Sequence, residues 1–138
     1  MVQTAPTSDT VREPRMARIL STVGLVLAGV MSVFNLINGI TSLINPMAGL
    51  EEGAAPQPVW ISVLLIGFGA VTLIALVPAW RGHRASIWVV VISRLLEAWS
   101  AIILPFIPGA PEGMWPFVIA LIIGGTVVSG LVAIRLRR

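Results

Sequence analysis

The sequence predicts an all-α membrane protein, four transmembrane helices in an antiparallel up-down bundle with both termini cytoplasmic. Three observations carry this expectation. Of 138 residues, 57% are hydrophobic and 11% charged, and the mean hydropathy of +0.96 lies outside the range of a soluble domain of this length. Four apolar runs, at about 17–45, 58–79, 86–107 and 115–134, are each long enough to cross a hydrocarbon core of about 30 Å. All nine basic residues are arginines, and eight of them lie in the amino-terminal segment, the connection between runs two and three, or the carboxyl terminus; the two remaining loops have none. That is the positive-inside pattern, and it puts the loops bearing Glu51, Glu52 and Glu112 outside.

Residues 1–15, MVQTAPTSDTVREPR, mix Pro, Thr, Ser and both signs of charge without apolar periodicity and read as a disordered cytoplasmic tail before a four-helix domain at 16–138. The run from Ile19 to Ile44 follows Arg12, Arg15 and Arg18 as a signal peptide would, but it is about twice as long as a signal h-region and reads as an uncleaved first span. At 100° per residue, Gly24, Ala28, Ser32, Asn35, Gly39 and Ser42 fall within about a quarter of its circumference, with Asn38 at the edge. Val26, Val30, Val33, Ile37, Ile40 and Ile44 take the opposite side. A small and amide stripe on an apolar helix is either a packing face, where backbones approach closely, or a polar pathway lined by Asn35 and Asn38.

Asn45-Pro46 ends this helix, because the residue before proline is pushed out of the α region. Pro58 suits the first turn of the second span, which carries Trp60 and Trp80 at its two interfaces, has Ser62 and Gly69 as aligned small positions with Thr72 nearby, and keeps Pro78 close to its end. The connection Trp80-Arg81-Gly82-His83-Arg84 is short enough to make spans two and three antiparallel neighbours. His83 has no second ligand beside it and reads as a solvated loop residue; no metal site and no cofactor are expected.

The third span, SIWVVVISRLLEAWSAIILPFIP, holds Arg94 and Glu97 close to its middle, ~12 and ~16 Å along the helix from Ser86 by the rise per residue. A charge at that depth costs several kcal/mol unless it is paired, and positions three apart share a helical face, so a mutual ion pair is the expected solution. This face is expected to turn inward against the small stripe of the first helix. In the fourth span Gly125, Ser129 and Ala133 recur every four residues, a small-residue row that permits a close helix crossing. The outer loops share a motif, EEGAAPQPVW and PEGMWP, an echo consistent with two parallel hairpin repeats.

The chain has no cysteine, no Gly-rich phosphate loop, no helical histidine pair and no carboxylate pair within one span. Catalysis is not expected, and clustering of arginine at span ends points to topology rather than nucleic acid. The segment WRGHRASIWVVVISRLLEAWS resembles small four-helix bacterial membrane proteins of unassigned function, chiefly over residues 80–108. That resemblance implies the four-helix layout and nothing about activity; the cytoplasmic membrane of a bacterium is the expected location. Size and helix number are also shared with small multidrug-resistance transporters, whose essential glutamate stands in the first helix, where this chain has none. Two functions follow as expectations: an accessory or scaffold subunit packing against a larger membrane partner or a second copy of itself, and a small oligomeric transporter or channel using Arg94, Glu97 and Asn35, with lipid as the surrounding partner.

Overall fold

A computed structural model describes residues 9–47, 58–107 and 113–137. It contains four helices long and apolar enough to cross a membrane. These are α1 (Asp9–Ile44), α2 (Val59–Trp80), α3 (Arg84–Ser100) continued by a 3-10 helix over Ala101–Phe106, and α4 (Trp115–Ala133) continued by a 3-10 helix over Ile134–Arg137. The first eight residues of the expected tail lie outside the described residues, as do the parts of the shared loop motif that hold Glu51, Glu52 and Glu112.

Two boundaries differ from the sequence expectation. The first helix starts at Asp9, inside the stretch read as tail; extending a helix that the membrane span already nucleates adds residues without the cost of a new nucleus. The third span changes from α to 3-10 at Ala101, one turn before Pro105. Proline lacks the N–H that would bond four residues back and disfavours the α region at Leu104, so the last turn tightens.

Each helix packs on the next and α4 returns to α1, leaving α1 and α3 on a diagonal. Neighbours run antiparallel. Gly39 near the end of α1 meets Ser62 and Ile66 near the start of α2, and Gly24 near the start of α1 meets Leu131 and Val132 near the end of α4. The turn between α2 and α3 explains its glycine. His83 N–H donates to the Pro78 carbonyl at 3.1 Å and Gly82 N–H to that of Ala79 at 3.0 Å. This is a Schellman closure, whose C′ residue must take positive φ, and Gly82 has φ +90°. Arg135 donates to the Trp80 carbonyl at 2.8 Å, tying the end of α4 to the end of α2. The arginines Arg15, Arg18, Arg81, Arg84, Arg135 and Arg137 therefore share one end of the bundle, called here the basic end. At the other end Phe106 and Trp115 stack edge to face, with centroids 5.9 Å apart, and join the end of the third span to the start of the fourth.

Gly24, Ala28, Ser32 and Gly39 of the α1 stripe are buried, and Asn35 and Ser42 half-buried; Asn38 is exposed. Val26, Val30, Val33, Ile37, Ile40 and Ile44 are all exposed on the far side. That outer apolar surface continues around the bundle through residues such as Phe34, Ile74 and Phe117, a covering suited to lipid. The core is not uniform along the bundle. Between Arg94 and the basic end it is a continuous apolar cluster that includes Leu25, Ala28, Ala79, Ile87, Val90 and Val132. Above Arg94 lies a cavity lined by all four helices.

Candidate functional site

A polar layer crosses the bundle at mid-height, and α3 supplies its charges. Arg94 is the largest fully buried side chain among the described residues, at 1% exposure. Its Nη2 forms the expected ion pair with Glu97 Oε2 and also donates to Thr72 Oγ1 on α2 at 3.1 Å. Thr72 in turn lies 2.8 Å from Ser93 Oγ. From the diagonal helix, Asn35 Nδ2 donates to Glu97 Oε1. Side chains from three helices thus converge on the one guanidinium–carboxylate pair, Asn35 and Thr72 directly and Ser93 through Thr72. In a low dielectric each bond to a charged group is strengthened, which favours such a network over an isolated charge.

The small stripe of α1 is a close-packing face, but the α3 charges do not turn against it as expected. Its glycines serve close contacts with α2 and α4 rather than making room for the α3 charges: a Cβ on Gly39 would lie 2.9 Å from the Ser62 carbonyl oxygen, and one on Gly24 would lie 2.7 Å from Leu131 Cβ. Only Asn35 of that stripe bonds to the ion pair, because α3 stands diagonal to α1 and a long side chain is needed to reach across. The Gly125–Ser129–Ala133 row faces α3. A Cβ on Gly125 would sit 2.5 Å from Ala98 Cβ, and Ser129 is buried with its hydroxyl on the Gly125 carbonyl at 2.8 Å, while Ala133 is half-buried. This close approach sets α3 so that Arg94 and Glu97 point into the bundle.

Above the layer is a cavity of about 270 Å³, which extends from Arg94, Glu97 and Asn35 toward the end opposite the arginines. All four helices line it. Its walls are mainly apolar, with Leu64, Phe68, Leu104 and Leu121 among them, and the lining residues Trp60, Phe117 and Asn38, toward the helix ends far from the arginines, are exposed. Below the layer the packed apolar cluster leaves no such space among its members. The hollow is thus one-sided, with a polar floor at mid-height of the bundle and a packed half beneath.

Thr72 and Ser93 are members of the site that sequence reasoning did not assign to it. The tight turn at Gly82 carried a usable signal. Positions equally distant from that turn lie at equal depth on α2 and α3, which puts Thr72 beside Ser93 and Arg94, and a hydroxyl at the depth of a buried guanidinium is a natural acceptor. Among the described residues no group of histidine, aspartate and glutamate could hold a metal ion.

No protein-family model, curated protein or solved structure matches this chain. The site has to be interpreted from its own geometry.

Proposed function

We propose that the chain is a non-enzymatic multi-pass membrane protein that holds a small solute in the cavity above the Arg94–Glu97–Asn35 floor, the solute-binding element of a small transporter. The observation that carries this reading is the contrast between the two halves of the bundle: a packed apolar half below the charges and a lined hollow above them. Apolar walls with a few convergent polar groups at the closed end are the usual composition of a small-molecule site. The accessory or scaffold role has less support. The small-residue rows on α1 and α4, one of the features that suit packing on a partner, are engaged within the chain itself at Gly24, Gly39 and Gly125.

Native mass spectrometry of the chain extracted from membranes in a mild detergent tests the proposal. A small-molecule adduct is expected on the wild type and is expected to be missing from Leu121→Trp, where an indole takes up the cavity. Equal spectra for the two would count against a solute in that space.

The arginine distribution supports placement of the basic end in the cytoplasm of a bacterial cell, both termini inside and the cavity mouth facing out. The absence of cysteine from the chain makes this easy to check. Met47→Cys, at the end of α1, should react with an impermeant thiol reagent applied to intact cells, and His83→Cys should react only after lysis. Labelling of position 83 from outside would reverse the orientation.

A further inference from the structure

The class of solute depends on which end of the ion pair the cavity meets, and this step rests on the cavity being a solute site. Both residues line it, but the Arg94 side chain has no exposed surface whereas that of Glu97 is 16% exposed. The guanidinium is shut behind the carboxylate. Its Nε and Nη1 are buried and without a partner in the protein, so its remaining donors are closed to a solute sitting in the hollow. Asn35 commits its Nδ2 to Glu97 Oε1 and keeps Oδ1 as an acceptor. Glu97 Oε2 is buried like those nitrogens, so Oε1, which takes only the Asn35 bond, and Asn35 Oδ1 are the acceptors left to the cavity. The polar floor of the cavity is therefore rich in acceptors.

Its net charge is zero, since Arg94 and Glu97 neutralise each other. A cationic solute would add an unpaired positive charge beside Arg94 in a low dielectric, and an anionic one would meet the Glu97 carboxylate directly. A ketone or ether brings acceptors to acceptors. We infer that the cavity takes an uncharged amphiphile that donates a hydrogen bond, an alcohol or phenol whose hydroxyl meets Glu97 or Asn35 Oδ1 and whose apolar body lies among Leu64, Phe68, Leu104 and Leu121. Such a hydroxyl can belong to a free alcohol or to the glycerol of a lipid.

Thermal unfolding of the purified chain in detergent micelles, with each probe at the same mole fraction in the micelle, converts a rise in midpoint into an apparent affinity. The probes are 1-decanol, 2-decanone, decane, decylammonium and decanoate. The expected result is an apparent affinity for 1-decanol about tenfold or more above those for 2-decanone and decane, with both ions weaker still. A further arm with 1-monodecanoylglycerol separates the sources: binding as tight as that of decanol extends the site to lipid hydroxyls, and no effect restricts it to free alcohols. Equal affinities for decanol and decanone would overturn the hydrogen-bond donor. The tightest binding by decylammonium or by decanoate would overturn the neutral class. The double variant Arg94→Leu/Glu97→Leu should bring decanol down to the level of decane. Asn35→Ala leaves the ion pair in place and should reduce the decanol preference about threefold or more, so it supplies the test if the double variant does not fold. An unchanged preference in the variant that folds also overturns the inference. A native adduct on the wild type without any preference for decanol would refute the solute class alone; no adduct and no probe effect would refute the cavity reading with it.

Discussion

Glu97→Leu is expected to be the most damaging single substitution in the protein, with a loss of about 3–5 kcal/mol of stability, because it leaves a guanidinium uncompensated in a buried site. Arg94 would then retain only the Thr72 hydroxyl, with Nε and Nη1 already unpartnered. Arg94→Leu should cost less, about 1–3 kcal/mol, for two reasons. Glu97 keeps the Asn35 donor, and a carboxyl group can be neutralised by a proton whereas a guanidinium stays charged at any accessible pH. The double Leu variant should recover most of the loss, to within about 1–2 kcal/mol of the wild type, since apolar replacements of similar volume remove both desolvation penalties together. Unfolding of the four proteins in one detergent gives the coupling energy directly. Simple addition of the two single losses would mean that the pair does not act as a pair.

The second large effect is steric and concerns two adjacent glycines of α4. Gly125→Leu should lose about 3 kcal/mol or more, because a Cβ there already meets Ala98 Cβ at 2.5 Å and the α3 backbone lies just behind it. Gly124→Leu should leave stability unchanged or raise it by up to about 1 kcal/mol, since a Cβ at Gly124 would meet nothing within 4 Å. The pair differs by one position and about 100° around the helix, so propensity and hydropathy effects cancel in the comparison. Because Gly125 also lines the cavity and approaches the Arg94 carbonyl, displacement of α3 by its substitution should abolish any solute adduct as well. Similar stabilities for the two leucine variants would remove the close α3–α4 approach from the account.

Much of the architecture follows from periodicity and chain punctuation. Apolar runs bounded by Asn45-Pro46, by the Gly82 turn and by Trp115-Pro116 are enough to give four spans, and the small and amide residues of α1 mark its inward side because a bilayer rewards close packing rather than burial of oil. The Arg94–Glu97 pair is equally legible, since three positions of spacing at mid-span leave few other partners. The neighbour relations are a different matter. A helical wheel shows which face of a helix points inward but not which helix it meets, so the diagonal placement of α1 and α3, and with it the reach of Asn35 to Glu97, had no local signal. Thr72 and Ser93 carry only the signal of equal distance from the Gly82 turn, which is weak because a lone hydroxyl in an apolar span usually bonds its own backbone, as Ser32 does to the Ala28 carbonyl at 2.6 Å. The cavity could not be foreseen from residue types either. Its apolar wall residues are of the same kinds as those in the packed half, so nothing in their identity marks the hollow.

A cysteine ladder along the bundle tests the one-sided site most directly, in a chain that has no cysteine of its own. Single cysteines at Ala101 and Leu121, in the cavity wall, and at Val90 and Val128, in the packed half, would be exposed to a small impermeant thiol reagent from outside intact cells. The account predicts modification at 101 and 121, slowed by 1-decanol, and none at 90 or 128. Protection of all four, or equal reaction of all four, would contradict a cavity that opens at one end and closes on Arg94 and Glu97.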